Sequence, residues 1–394
     1  MKKIISLLLA LCMVLSLSAA FAVDASSIKV GFIVIGDENE GYSANHLNAL
    51  NTACDALGIS KDQVLIKYNV SETEAAYEAC VDLAEQGCDI IFATSFGHES
   101  YAMLAAEEYP DVEFCHATGT AANSAGLANF HNYFTAVYEG RYVGGIVAGL
   151  KLNEMIANGE ITAEEAKLGY VGAYPYAEII SGYTAFYLGA RSVCPSVTME
   201  VRYTNDWSNM AAEKTTAEAL IANGCKLISQ HADTVGAPTA CEALGVPCVG
   251  YNIDMTAVAP TTALISPACN WAAYVQYALE CVLNGEAIAT DWCGGFAENA
   301  VLLTDLNTAI APEGAQEAID AAVAAIESGE LQVFDCSTFT VNGETLTSAF
   351  ALDTDGDWVN DTAECIVDGA FLESWVRSAP YFAYVIDGIT AVTE

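Results

Sequence analysis

Residues 89–97 read Asp89-Ile-Ile-Phe-Ala-Thr-Ser-Phe-Gly97, and residues 225–236 read Cys225-Lys-Leu-Ile-Ser-Gln-His-Ala-Asp-Thr-Val-Gly236. Each opens as a short apolar run of the kind that fills a buried parallel strand. Each follows a helix-like segment that stops at a glycine, Gly87 in one case and Gly224 in the other. A second short apolar run comes after each, Glu113–Ala117 and Pro247–Tyr251. One α/β unit therefore occurs twice, about one domain length apart. The expected fold class is α/β: two lobes, each a parallel sheet flanked by helices. Two such lobes leave a cleft, lined by loops that leave the carboxyl ends of the strands, and a ligand is expected there.

Working outward, Ile28–Ile35 reads as the first strand, and Leu47, Leu50, Cys54 and Leu57 recur at helical spacing behind it. Ser71-x-x-Glu74 reads as a capping box. Gly145-x-x-x-Gly149, within Tyr138–Leu150, predicts a helix that packs closely on a neighbour. Strands are expected at Lys167–Tyr174, Thr198–Tyr203 and Lys226–Ser229, with helices over Ile179–Ala190 and Met210–Ala222 between them. Ala263–Ser266 is expected to lead the chain back to the first lobe, and Pro312 and Gly329 bracket an alanine-rich helix. The expected division is residues 28–143 with 267–310 in lobe 1 and 144–266 with 311–340 in lobe 2. Residues 341–394 form a C-terminal extension packed on the lobes.

Residues 1–22 carry Lys2 and Lys3, an apolar stretch from Ile4 to Leu17, and Ala20-Phe-Ala22. This is the pattern of a cleaved signal peptide and is too short for a membrane span, so the mature protein is expected outside the cytoplasm. Of the 13 lysines and arginines, two leave with that segment, whereas all 51 acids stay. So acidic a chain lacks the basic footprint that nucleic acid requires. Fourteen cysteines, less Cys12 in the signal segment, leave an odd number. They sit on apolar strand and helix positions without C-x-x-C pairs or metal spacing, so most are expected to be free thiols. G-x-S-x-G and HExxH are absent, and Asp37, Glu38 and Glu40 do not form a convincing acid cluster, so no catalysis and no cofactor are expected.

Several stretches together resemble the basic membrane protein family of ABC-transporter substrate-binding proteins, to which bacterial purine nucleoside receptors belong. They are Ile91–Gly97, His116-Ala-Thr-Gly119, Tyr138-Glu-Gly-Arg-Tyr142, Leu188-Gly-Ala-Arg-Ser192, Gln230-His231, Gly250-Tyr251, Asp254-Met255 and Asn270-Trp271. The resemblance runs from about Ile28 to Gly329, and Ser378-Ala-Pro-Tyr-Phe382 is similar to tails of one branch of the family. It implies a type I periplasmic-binding-protein fold with a hinge of three crossings. It also implies a purine base or nucleoside sandwiched between aromatic rings from both lobes, a membrane permease as partner, and a monomer. A sensory binding protein, a sugar receptor of the same fold and a secreted nucleoside hydrolase are the alternatives.

Among the residues, Tyr42 and Trp207 are the expected ring pair, in post-strand loops of opposing lobes, and Phe96 is a further candidate at a strand end. Asn252 and Asp254 are expected to read the edge of the base, since an amide both donates and accepts. Asp254 has capping the next helix as its alternative. Asp233, Asn270, Trp271 and His46 complete the candidate set, with His46 able to serve only as support for the Tyr42 loop. The family resemblance also shows a departure. Nucleoside-binding members resemble Ser-Val-Val-Lys-Asn where this chain has Ser266-Pro-Ala-Cys-Asn270, so Cys269 replaces a lysine that contacts ribose. Asn252 likewise stands where those members have Asp. Both changes point toward a free base or an altered nucleoside. Asp353, Asp355, Asp357, Asp361 and Glu364 fall at the oxygen-ligand positions of a calcium loop. Trp358 occupies the position that needs glycine, so an acidic surface loop is expected and no metal.

Overall fold

The computed structural model describes residues 24–38, 40–351 and 363–392. The signal segment and all of the acidic loop's candidate ligands except Glu364 lie outside these. The chain begins with β1 (Val30–Ile33), α1 (Gly41–Leu57), β2 (Val64–Lys67), α2 (Glu74–Glu85), β3 (Ile90–Ala93), α3 (Glu99–Glu108) and β4 (Glu113–Ala117). After the short α4 (Ala122–Ala125) come β5 (Phe130–Thr135) and the long α5 (Val137–Ala157). The second half runs β6 (Lys167–Gly172), α6 (Ala177–Val193), β7 (Thr198–Tyr203), α7 (Met210–Ala222), β8 (Leu227–His231), α8 (Gly236–Leu244) and β9 (Cys248–Val249). Then follow β10 (Pro267–Cys269), α9 (Trp271–Asn284), β11 (Asp291–Gly294), β12 (Val301–Leu303) and α10 (Ala315–Glu327). A small hairpin, β13 (Ile366–Val367) and β14 (Ala370–Phe371), precedes β15 (Ile389–Val392).

Two parallel sheets result. The first runs β2-β1-β3-β4-β5-β11, and the second β15-β7-β6-β8-β9. The order β2-β1-β3-β4 of the first is thus repeated as β7-β6-β8-β9 in the second. This is the duplication read from the two apolar runs, extended to whole lobes. The fold is the two-lobed, α/β architecture expected from the sequence. Strands β1 and β3 are buried along their length, because helices cover both faces of the sheet.

The chain passes between the sheets three times. Helix α5 leaves β5 and packs along α6. A Cβ at Gly145 would run into the Phe186 carbonyl, and one at Gly149 into that of Ala190, so the small-residue spacing permits this close approach. The other two passages are β10 and β12, which pair antiparallel. Ala263–Ser266, expected as a strand, forms only a single bridge from Ala263 to Cys248. Two further expectations change. Helix α2 is capped by Thr73, whose hydroxyl accepts the Ala75 amide, while Ser71 hydrogen-bonds to Thr73. The C-terminal segment does more than pack on the lobes: β15 pairs parallel with β7 and extends the second sheet. All thirteen described cysteines are free, and twelve are buried, behaving as small apolar core residues.

Candidate ligand-binding cleft

A cavity of about 280 Å³ lies between the carboxyl ends of the two sheets. From the first sheet it is lined by Ile35, Gly36, Glu40 and Tyr42 after β1, Glu72 after β2, Ser95 and Phe96 after β3, and Thr118 after β4. From the second come Glu178 after β6, Asp206, Trp207 and Ser208 after β7, His231 and Asp233 at the end of β8, and Tyr251 after β9. The lobes approach closely at the rim. A Cβ built at Gly41 would stand 3.0 Å from the Asp233 carbonyl oxygen.

The first wall is braced internally. Tyr42 donates its hydroxyl to the Thr94 carbonyl at 2.6 Å and packs edge-on against His46, with centroids 4.6 Å apart. Glu40 caps α1 by accepting the amides of Tyr42 and Ser43, both at 2.8 Å. Glu72 accepts the Ser95 hydroxyl at 2.7 Å and the Gly97 amide at 2.8 Å, which holds the turn that presents Phe96. Phe96 is 51 % exposed, an unusual state for a large apolar side chain at a strand end. Thr118 adopts φ of 68°, which is costly for a β-branched residue. Its hydroxyl is buried with no hydrogen-bond partner.

The second wall differs. Trp207 packs against Tyr174, with centroids 5.5 Å apart, and its carbonyl accepts the Asp233 amide at 2.9 Å, tying the loops after β7 and β8 together. His231 and Glu178 hydrogen-bond at 3.3 Å. Burial lowers the His231 pKa to about 4, aided by the nearby Arg141 and opposed by Glu178, so the ring is neutral at pH 7. The guanidinium of Arg141 is buried, donates to the Gln230 carbonyl at 2.6 Å and lies 3.8 Å over the Tyr251 ring. The Asp233 carboxyl makes no hydrogen bond among the described residues. Burial holds its pKa well above the usual carboxylate range, with Glu40, Glu178 and Glu213 adding repulsion and Arg141 opposing them.

Of the residues singled out from sequence, Tyr42, Phe96, Trp207 and Asp233 meet at this cavity. The others lie outside its lining. Asn252 has φ of 62° and accepts the Cys269 amide at 3.4 Å. Asp254 caps the turn that follows it, accepting the Thr256 amide at 2.8 Å. Asn270 donates to the Asn299 carbonyl at 2.6 Å. Trp271 and His46 stack on each other in the core, 4.5 Å apart and nearly parallel, behind Tyr42. Neither His46 ring nitrogen has a partner, and burial lowers its pKa to about 3. Cys269 sits behind the cavity rather than in it. Its sulfur accepts the Thr135 hydroxyl at 3.2 Å, next to the Tyr251 hydroxyl at 3.8 Å, and burial pushes the thiol up to about 11. Glu364 accepts the amides of Ala349 and Ile366 and the Ser348 hydroxyl, so its carboxylate serves as a loop brace.

The sequence reading passed over Glu72, Ser95, Thr118, Glu178, Asp206, Ser208 and Tyr251. The signal available was position: each follows a strand of the repeated unit, as Phe96 and Asp233 do.

With this geometry in view, the comparisons are consistent. Residues 28–333 match the family model described as ABC transporter substrate-binding protein, PnrA-like. The chain belongs to this Bmp family. It is 32 % identical over 308 residues to a purine-binding protein of Brucella abortus, covering 78 % of this chain and 83 % of that one. It is also 32 % identical over 269 residues to a putative ABC-transporter glucose-binding protein of Haloferax volcanii, covering 68 % of this chain and 64 % of that one. A solved ABC-transporter solute-binding protein from Conexibacter woesei superposes with a TM-score of 0.60 at 22 % identity, over 78 % of this chain and 98 % of that one. The last comparison supports the fold. Among the described residues, no helix is long and apolar enough to cross a membrane.

Proposed function

We propose that this substrate-binding protein serves an ABC importer outside the cytoplasm and binds a purine base or nucleoside between its lobes. The observation that carries this reading is the meeting of rings from both walls, Tyr42 and Phe96 from the first and Trp207 and Tyr251 from the second, on one cavity of about 280 Å³. A flat heteroaromatic ring suits such walls, since each good aromatic pair adds roughly 0.5–1.5 kcal/mol beyond area burial. Polar groups at the strand ends then fix the edge of the base. The Brucella relative, named as purine-binding, supports the same ligand class. The mature chain, starting after residue 22, delivers the ligand as a monomer to a membrane permease.

A glucose receptor is the second reading, favoured by the name of the Haloferax relative and by the abundance of carboxylates that could bind hydroxyls. A thermal-shift panel of purine bases, nucleosides and sugars separates the two. A ligand at a hundred times its Kd adds about 2.7 kcal/mol of stability. Purines should raise the melting temperature while glucose leaves it unchanged. The reverse pattern would replace the purine reading with the sugar one.

A further inference from the structure

Five carboxyl side chains line the cleft, those of Glu40, Glu72, Glu178, Asp206 and Asp233, and no lysine or arginine does. The aromatic faces of Tyr42, Phe96, Trp207 and Tyr251 line the same space. Arg141, outside the lining, donates to the Gln230 carbonyl and lies over the Tyr251 ring, while its Nε and Nη2 have no hydrogen-bond partner. Four of the five carboxyls are committed to protein donors: Glu40 and Glu72 to loop amides, Asp206 to the Ser208 amide, Glu178 to His231. The Asp233 carboxyl alone accepts no hydrogen bond among the described residues, and the Thr118 hydroxyl on the other wall is buried and likewise unpartnered.

We propose that the cleft selects positive charge on its heteroaromatic ligand, with Asp233 as the residue that sets this preference. The inference rests on the aromatic-ligand reading above. Ring faces attract a cation through their quadrupole, more strongly where water is excluded. Carboxylates that repel one another in a low-dielectric space gain from a cation and lose from an anion. Burial first, and then repulsion from Glu40, Glu178 and Glu213, disfavours the charged form of Asp233, with Arg141 opposing them. A positively charged ring relieves that repulsion, a neutral ring leaves it, and a phosphate ester increases it.

The test is calorimetry on the mature protein at pH 7 with four probes: adenosine, 1-methyladenosine and thiamine, both of which carry a ring charge, and adenosine 5′-monophosphate. At least one cationic probe should bind about tenfold or more tighter than adenosine, and the monophosphate should bind about a hundredfold more weakly than adenosine. Asp233→Asn should shrink the advantage of the cation by about tenfold while adenosine changes little. Tight adenosine binding with both cations tenfold weaker would overturn charge selection and leave the purine reading standing. Thiamine binding without either nucleoside would support charge selection and remove adenosine as the ligand. An unchanged ranking in Asp233→Asn would remove Asp233 from the role. If none of the four binds at millimolar concentration, charge selection falls, and the purine reading rests on the free bases alone.

Discussion

Equivalent loops of the two lobes carry opposite chemistry. Tyr42 and Glu178 are each the second residue of the helix that follows the first strand of their repeat. Glu72 precedes α2 as Trp207 precedes α7, each after the second strand. Phe96 follows β3 where Asp233 follows β8, and Thr118 follows β4 where Tyr251 follows β9. At every position a ring on one lobe stands where the other lobe has an acid or a hydroxyl. Matching positions in the repeated topology thus carry a stacking group in one lobe and a polar group in the other. The walls also differ in how their polar groups are used. Glu40 on the first wall braces its own loop and Glu72 the loop after β3, whereas Asp233 on the second accepts no hydrogen bond among the described residues.

Both walls depend on the passage between the lobes, so the largest expected effect lies there. Gly145→Leu would force a side chain into the Phe186 backbone. It should cost about 3 kcal/mol or more, read as a fall in the denaturant midpoint. A change of less than about 0.5 kcal/mol would mean that α5 does not hold the lobes in register.

The ring positions come next. Trp207→Ala should weaken ligand binding about tenfold or more, because one stacked ring contributes roughly 1–3 kcal/mol. Tyr42→Ala should do the same, and Phe96→Ala less, since half of its surface faces solvent. Calorimetry on the three variants ranks the walls. Unchanged affinity in both Tyr42→Ala and Trp207→Ala would remove the sandwich.

A smaller effect concerns a carboxyl outside the cleft. Burial raises the Glu139 pKa to about 7, opposed by the Phe296 amide it accepts at 2.8 Å. Its folded pKa lies above the unfolded value, so its contribution is fully present below about pH 4.5 and is lost as pH rises through about 7. Glu139→Gln should therefore stabilise the protein at pH 8 by roughly 1–2 kcal/mol and match the parent at pH 4.5. Melting curves at the two pH values give the answer. Equal shifts at both would mean that Glu139 is not the titrating group.

The smallest effect is expected from ribose. Cys269 is a weak donor held behind Tyr251, so it cannot supply the charged bond to sugar hydroxyls that the family's lysine gives. Adenine should bind at least as tightly as adenosine. If the nucleoside binds a hundredfold tighter, nearly 3 kcal/mol comes from the sugar and another residue has taken over that contact.

Much of this was legible in the sequence. The repeated apolar run and the glycine stops announced the two-lobed fold, and post-strand position picked out Tyr42, Phe96, Trp207 and Asp233, four of the fifteen residues that line the cleft. What escaped has physical reasons. Trp271 and His46 follow the same strand-to-helix logic, but helical rotation turns them into the core, where they stack on each other. Asp254 is spent on the local Thr256 amide, a competition that short polar side chains often win, and Asn252 on the Cys269 amide of the neighbouring crossing strand. Thr118 is disfavoured at φ of 68°, so its identity gives no hint of the turn it makes. β15 joins its sheet from across the chain, and no local pattern announces a partner as distant as β7. Tyr42 and Trp207 line the same cavity from non-equivalent strands, β1 and β7, which only the sheet order reveals.

The central claim is a purine held between the two walls. Isothermal titration of the mature protein with adenine and guanine, with glucose as the control, tests it most directly. The account predicts one site per chain for at least one purine, with a Kd of about 1 μM or tighter, about −8 kcal/mol, and no heat from glucose. Saturable binding of glucose with none of either purine would contradict it.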